Sequence, residues 1–368
     1  MGTPRINTRP LLTMHVVSQR IFSDDNFCLL DVGASGGIDQ HWSAFTPDLI
    51  AFGFEPLISE VERLNRECKN PKIKYHSCFV GSKEIMMPEK EPEYKKNNIF
   101  QRTSAARASS IMSIDYAKDY YDPTGNKEIS SEHIALDDFV NDNEISDVDF
   151  IKTDTDGFDY YALHGAKDIL SEKVLGVFVE FDFHGRSHDN DNMFYNIDMF
   201  LRDKGFSLFD MEVYRYSKAV MPKPFVYKIP AQTHGGQVLW GDALYIRDIL
   251  LSDDGKARKL NLSPIKLLKL ACIFEIYGLE DCAAELIISH RDMLAKIIEI
   301  DHCLNLLTPL FRGKQLSYKA YNNLFEHNTE AFYPMESFAD RIASRVIRIP
   351  LIGFLSAKLY RTLKAIIK

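Results

Sequence analysis

Apolar runs of strand length alternate with stretches of helical spacing over the first two thirds of the chain. The runs fall at residues 27–32, 49–55, 73–80, 148–154, 174–181, 206–211 and 243–247, and most stop at a glycine or an acid. β-Branched and aromatic side chains are frequent in them, as in extended backbone. Residues 57–68 and 193–204 repeat apolar positions at helical spacing, another helix starts within 155–166, and 11–22 reads as one short helix. Strands alternating with helices predict an α/β domain with a mostly parallel sheet. Residues 82–135 break the pattern with charge clusters, Pro88, Pro92, Pro123 and a small-residue stretch at 103–110. That is too long for an ordinary connection and is expected to be a lid over the site. From 251 onward the spacing is helical, with Ser263-Pro264 as an N-cap and first-turn pair ahead of 265–277, then 282–300 and 318–326. The expected organisation is a lead-in at 1–26, an α/β domain at 27–250 and an α-helical domain at 251–368.

The first run ends in Asp31-Val32-Gly33-Ala34-Ser35-Gly36-Gly37, a loop where glycine lets the backbone take positive φ and lets a ligand come close. Its glycines read G-x-x-G-G, whereas a dinucleotide fingerprint reads G-x-G-x-x-G, which argues against a nicotinamide-dependent oxidoreductase. Glu55, followed by Pro56, ends the second run 24 positions after Asp31, near the spacing of about 20 at which an acid meets a ribose. A carboxylate there accepts from both ribose hydroxyls. The loop with its preceding acid resembles motif I of S-adenosylmethionine-dependent methyltransferases.

Four further pieces stand in register: Phe54-Glu55-Pro56, Ala135-Leu136-Asp137-Asp138-Phe139, Asp149-Phe150-Ile151-Lys152-Thr153-Asp154-Thr155-Asp156-Gly157, and Leu163-His164-Gly165-Ala166. With Leu30-Asp31-Val32-Gly33-Ala34 they resemble the FkbM family of methyltransferases over roughly residues 27–250. The family form is D-F-I-K-x-D-x-E-G, so Asp156 stands where Glu is usual, with the charge kept and the reach shortened. The resemblance implies a Rossmann-like class I methyltransferase fold, with a seven-stranded sheet and helices on both faces, using S-adenosylmethionine. It also implies O-methylation of a hydroxyl on a sugar, glycan or glycosylated metabolite. Asp31, Gly33, Ala34, Ser35 and Gly37 would then hold the methionine end, and Glu55 with Pro56 the ribose.

Ligands of open α/β sheets bind beyond the carboxyl ends of the strands. Asp154 and Asp156 end the fourth run, and Glu180-Phe181-Asp182-Phe183-His184 ends the fifth. Asp154, Glu180 and Asp182 offer oxygen ligands of the kind Mg²⁺ takes, an arrangement similar to catechol-type O-methyltransferases. Alternatively they bind the acceptor or the methionine moiety by hydrogen bonds. His184 is the candidate general base, with Asp154 and Asp182 as catalytic partners and His188 and His234 as competitors. Trp240, Tyr214 and Tyr216 are candidates either for stacking on a sugar or for the core. Arg102, Arg107 and Arg186 are candidates for gripping an anionic acceptor or are solvated.

Composition narrows the partners. A net charge of −8 over 368 residues is not that of a general nucleic-acid binder. The six scattered cysteines have no C-x-x-C pair and read as free thiols in a reducing compartment. With no signal-like segment and no apolar stretch near 20 residues, a cytoplasmic location is expected. Residues 341–368 carry seven basic residues and no acid, with Leu351, Leu355, Leu359 and Leu363 on one helical face. That pattern suits peripheral contact with a membrane surface, or a helix packed on its own domain. The rival to an enzyme is a non-catalytic protein that keeps the cofactor fold while its helical domain binds a partner or a membrane.

Overall fold

The computed structural model describes residues 6–82, 99–111, 128–184, 192–226, 232–250 and 262–333. Two compact units divide the chain, Met1–Leu307 and Thr308–Lys368. In the first, strands β1 (Phe27–Val32), β2 (Leu49–Phe54), β3 (Ile73–His76), β4 (Phe79–Val80), β5 (His133–Ile134), β6 (Phe150–Thr153), β7 (Gly176–Asp182), β8 (Ser207–Tyr216) and β9 (Gln237–Ile246) follow in order. Seven form one sheet in the order β3-β2-β1-β6-β7-β9-β8, and β4 pairs β5 in a separate ladder. β3, β2, β1, β6 and β7 are parallel, while β9 runs antiparallel to both β7 and β8. This is the mostly parallel seven-stranded class I methyltransferase sheet that the sequence led us to expect.

β1 is buried along its whole length, as a central parallel strand covered on both faces must be. Leu30 and Val32 turn to one face with Ile151, Val177, Val179 and Phe181. The helices on that side are α4 (Leu136–Asp142), α5 (Asp159–His164), α6 (Lys167–Glu172) and α7 (Phe194–Asp203), after α1 (Leu11–Ser18), α2 (Ile58–Glu67) and α3 (Ser104–Ile111) in the chain. Phe27, Phe150 and Phe178 turn to the other face, where Phe27 stacks on Trp42 and Phe45 of a 3₁₀ helix (Gln40–Phe45), and Phe150 and Phe178 stack on Tyr277.

Tyr277 closes α8 (Pro264–Ile276), whose N-cap Ser263 accepts from the Lys266 amide with Pro264 in the first turn. α8 is welded to the sheet. Lys266 Nζ reaches Asp149 Oδ1 at 2.7 Å and Asp147 Oδ2 at 2.6 Å, and Lys269 Nζ reaches Asp149 Oδ2 at 3.0 Å and Asp25 Oδ1 at 2.6 Å. At its other end the buried Glu275 carboxylate accepts from the amides of Leu12 and Thr13, both at 2.7 Å. It fills the orphan donors that Pro10, as N-cap of α1, cannot. The change of pattern near 251 is therefore not where the compact units divide. α9 (Glu280–Ser289), α10 (Arg291–Leu294) and α11 (Ile300–Leu307) continue the first unit, and the expected single helix 282–300 is broken at His290 so that Leu286, Leu294 and Leu304 all turn inward.

The expected strand 73–80 is also split. Phe79–Val80 leaves the main sheet to pair with His133–Ile134, and Ser130 Oγ donates to the Ser77 carbonyl at 2.7 Å, clamping the two ends of the long insertion together. A Cβ on Gly165 would lie 2.0 Å from the Gly81 carbonyl oxygen, so this glycine permits α5 to close on the clamp. In the second unit, α12 (Tyr318–His327) is N-capped by Ser317, and Phe311, Tyr321 and Phe325 surround Phe332. No helix among the described residues is long and apolar enough to cross a membrane. The basic stretch 341–368 lies outside the described residues.

Candidate active site

The loop after β1 is shaped by its own backbone. The amides of Gly33 and Ala34 donate to the Phe54 carbonyl at 2.9 and 3.1 Å, and that of Gly37 donates to Ala34 at 3.0 Å. The Gly36 amide donates to Glu60 Oε1 at 2.9 Å, itself gripped by Arg63, and Ile38 donates to the Tyr75 hydroxyl. Gly33, Gly36 and Gly37 all have positive φ. At Gly33 the requirement is absolute, because a Cβ would lie 1.8 Å from the Asp154 carbonyl oxygen. Around Gly36 such an atom would meet nothing within 4 Å, so the loop opens outward there. Glu55, half-buried at the end of β2, is fixed by the Leu57 amide donating to its Oε1 at 3.0 Å.

Asp31 is fully buried beneath this loop, and neither of its oxygens has a hydrogen-bond partner. Lys152, its register partner on β6, holds Nζ 3.5 Å from Asp31 Oδ1, 3.7 Å from Asp154 and 3.9 Å from Asp39. Burial pushes Asp31 up to about 6 even with Lys152 beside it. For Lys152, burial acts downward but is outweighed by the three acids, so its pKa is raised. Asp39 also lines a cleft of about 910 Å³ with His41, Met14 and Arg20.

The strand register carries the acidic face further. Glu180 lies opposite Asp242, which lies opposite Glu212, and Asp182 lies opposite Trp240 and then Tyr214. Facing residues and those two apart share a face, so these six line one strip of the sheet beyond Lys152. Burial first, then Asp159, Asp154, Asp156 and Asp242, push Glu180 up to about 10. Burial takes Asp242 up to about 6, where it accepts from the Tyr214 hydroxyl at 2.7 Å. Asp159, fully buried, is raised to about 7 by burial and Asp154, and accepts from the Thr155 amide and the Asn192 side chain. Asp156 has φ of 53°, a left-handed conformation in which Asp is among the tolerated residues and which clusters at functional turns.

A group whose folded pKa is raised holds a proton that the unfolded chain releases. Glu180 thus contributes stability that is complete below its ordinary 4.5 and lost as pH rises toward about 10. Glu180→Gln is expected to stabilise the ligand-free protein by about 1–2 kcal/mol near pH 8 and to flatten the fall in melting temperature between pH 5 and 9. Thermal melts across that range check it, and an unchanged slope would refute the assignment.

His184 Nε2 stands 3.8 Å from Asp182 Oδ1, which places the candidate base beside a carboxylate. His188 and Arg186 lie outside the described residues, and His234 is exposed before β9. Asp154, Glu180 and Asp182 do not form the expected magnesium site. Among the described residues no group of three or more His, Cys, Asp or Glu side chains could hold a metal ion. The register faces Glu180 with Asp242, while Asp154 leans to Lys152 and Asp182 to His184. Tyr214 and Tyr216 are buried in a small core with Leu239 and Ala105, so neither is a sugar platform, while Trp240 is half-buried against Tyr214 at 3.9 Å. Ala105 belongs to the expected lid. Its described part, with the 3₁₀ helix Ile99–Arg102 and α3, docks at the end of β8 through Ser104 on Ser217 and through Arg107, whose guanidinium donates to the Ala219 carbonyl. The rest of the lid, 83–98 and 112–127, lies outside the described residues.

Lys152, Asp39, Asp159, Asp242 and Glu212 were not foreseen as site residues. Lys152 was legible as the lysine two positions before Asp154, and Asp242 only through pairing with β7.

Residues 31–208 match the Methyltransferase FkbM domain. No curated protein matches the chain. Among solved structures, an FkbM methyltransferase from Methylobacillus flagellatus KT is 14% identical, over 60% of this chain and 44% of that one, with a TM-score of 0.31. Magnesium protoporphyrin IX methyltransferase from Synechocystis PCC 6803, with bound SAM, is 9% identical over 67% and 87% of the two chains, with a TM-score of 0.28. A precorrin-6y C5,15-methyltransferase from Geobacter metallireducens GS-15 is 11% identical over 67% and 94%, with a TM-score of 0.30.

Proposed function

Residues 31–208 are a methyltransferase FkbM domain, and from that premise we propose that the protein moves a methyl group from S-adenosylmethionine to a hydroxyl of a sugar, glycan or glycosylated metabolite. The observation that carries the cofactor is the internal commitment of the glycine-loop amides of Gly33, Ala34, Gly36 and Gly37. A loop that cradles phosphates turns its amides outward at a helix N-terminus. This one leads into a 3₁₀ helix and offers shape with acids below, which fits a cofactor without phosphates that carries positive charge.

S-Adenosylmethionine supplies an electrophilic methyl on a sulfonium. Gly33, Ala34, Ser35 and Gly37 would pack against its methionine end above Asp31, and Glu55, followed by Pro56, would accept from the ribose hydroxyls. Glu180 and Asp242 extend a field that favours a cation over the strand ends. His184, oriented by Asp182, would take the proton of the acceptor hydroxyl, with Asp154 at the same rim. Alignment of acceptor, methyl and sulfur supplies most of the acceleration. Half-buried Trp240 beside Asp182 suits the apolar face of a sugar ring.

Calorimetric titration with S-adenosylhomocysteine tests the cofactor. Binding is expected in the wild type and at least about 10-fold weaker in Glu55→Ala, the worth of a charged hydrogen bond. No binding in the wild type would overturn the reading. Labelled S-adenosylmethionine with a glycan panel tests the acceptor, where label recovered only on nitrogen or carbon would refute O-methylation.

A further inference from the structure

Lys152 is spaced as if for one more partner. An ammonium bound to a carboxylate normally closes to about 2.7–2.9 Å. Its nearest carboxylate oxygens, on Asp31, Asp154 and Asp39, stand at 3.5, 3.7 and 3.9 Å. The same chain shows what a structural lysine looks like, since Lys266 and Lys269 close on Asp149 at 2.7 and 3.0 Å at the opposite edge of the sheet. Asp31 is 0% exposed with both oxygens lacking a hydrogen-bond partner, so the group is a polar hole and not a finished network. Asp154 and Asp39 are about half exposed, at 49% and 47%, and are free to turn toward a ligand above them.

We propose that Lys152 receives the α-carboxylate of the cofactor's amino-acid moiety, while Asp154 and Asp39 receive its α-ammonium. This rests on the S-adenosylmethionine reading above and names the residues that would make the site select an amino-acid tail. A carboxylate and an ammonium on one carbon match a lysine flanked by acids. Asp31, which cannot reach solvent, stays below and keeps Lys152 charged. A phosphate or other lone anion would meet three carboxylates and be repelled. A lone cation would meet Lys152. Only a zwitterion satisfies both signs, and the sulfonium then lies toward Glu180.

Two probes separate the amino-acid tail from the rest of the ligand. S-Adenosylhomocysteine carries it, and 5′-methylthioadenosine has the same nucleoside and thioether without it. In calorimetric titration of the full chain, Lys152→Met is expected to weaken S-adenosylhomocysteine about 10–100-fold, the range of a charge-assisted hydrogen bond, and to leave 5′-methylthioadenosine within about twofold. Because Lys152→Met strands Asp31 without its cation, Asp31→Asn/Lys152→Met is measured beside it, with circular dichroism melts for both. The double variant is expected to fold and to show the same selective loss. Equal loss of both probes, or no loss of either, in a folded variant would overturn the assignment while leaving the cofactor reading intact. A wild type that binds neither probe would overturn both.

Discussion

Gly33→Ala is expected to abolish binding of S-adenosylhomocysteine and to destabilise the fold by about 3 kcal/mol or more. Two effects add. A left-handed φ costs an L-residue about 1–2 kcal/mol, and Gly33 has φ of +83°. The new methyl would also sit 1.8 Å from the Asp154 carbonyl oxygen. That oxygen belongs to backbone whose amide is bonded to Val32, so relief requires the end of β6 to separate from β1. Overpacking of this kind costs about 1–3 kcal/mol. Gly36→Ala is the control. It has the same φ but open space around the added atom, so only the conformational penalty of about 1–2 kcal/mol applies. Melting curves of the two variants, with titrations of Gly33→Ala, decide the matter. Equal destabilisation would show that contact with Asp154 does not shape the loop.

That contact explains which parts of the site were legible in the sequence. Gly33 and Glu55 stand at the ends of β1 and β2, whose buried apolar runs are continuous and whose punctuation is local. A reader needs only neighbouring residues to place them. β8 and β9 were each seen at about half their length, because their remaining residues alternate with Glu212, Tyr214, Trp240 and Asp242, which face the site. Nothing local distinguishes such alternation from a loop. The expected metal triad failed for a related reason: spacing along β7 puts Glu180 and Asp182 on one face, but only the sheet register shows that Glu180 meets Asp242. Asp182 meets His184 instead. The embedding of α8 was least legible of all. Lys266 and Lys269 read as solvated charges until Asp25, Asp147 and Asp149 are brought to them from more than a hundred positions away.

The D-F-I-K-x-D segment thereby serves two edges of the sheet. Lys152 and Asp154 stand at the rim beside the glycine loop, and Asp149 stands at the far edge holding α8. The first acid of the motif is thus placed to hold the fold, and its removal should show as lost stability with chemistry retained.

Asp149→Ala is the sharpest test of that division. Asp149 is 0% exposed and accepts from the Cys28 amide at 2.9 Å as well as from both lysines. Its loss leaves two buried ammoniums, with Lys269 itself 0% exposed, sharing only Asp147 and Asp25. Breaking a buried pair by removing one partner costs about 3–5 kcal/mol, because an uncompensated charge remains in the interior. The melting temperature is expected to fall by several degrees or more, while the folded fraction at low temperature binds S-adenosylhomocysteine as the wild type does. Lys269's pKa is raised, because burial acts downward but Asp149 and Asp25 outweigh it. The stability it contributes is therefore complete below its unfolded pKa and lost only as pH climbs through the higher folded value, in strong alkali. The wild-type lock should hold across the neutral range, and the difference in melting temperature between wild type and Asp149→Ala should stay nearly constant from pH 6 to 9. The exposed pair Arg291–Asp301 supplies the contrast, with an expected change within about 1 kcal/mol for Arg291→Ala. If Asp149→Ala melted with the wild type but lost ligand binding, the first acid of the motif would belong to the site and not to the fold.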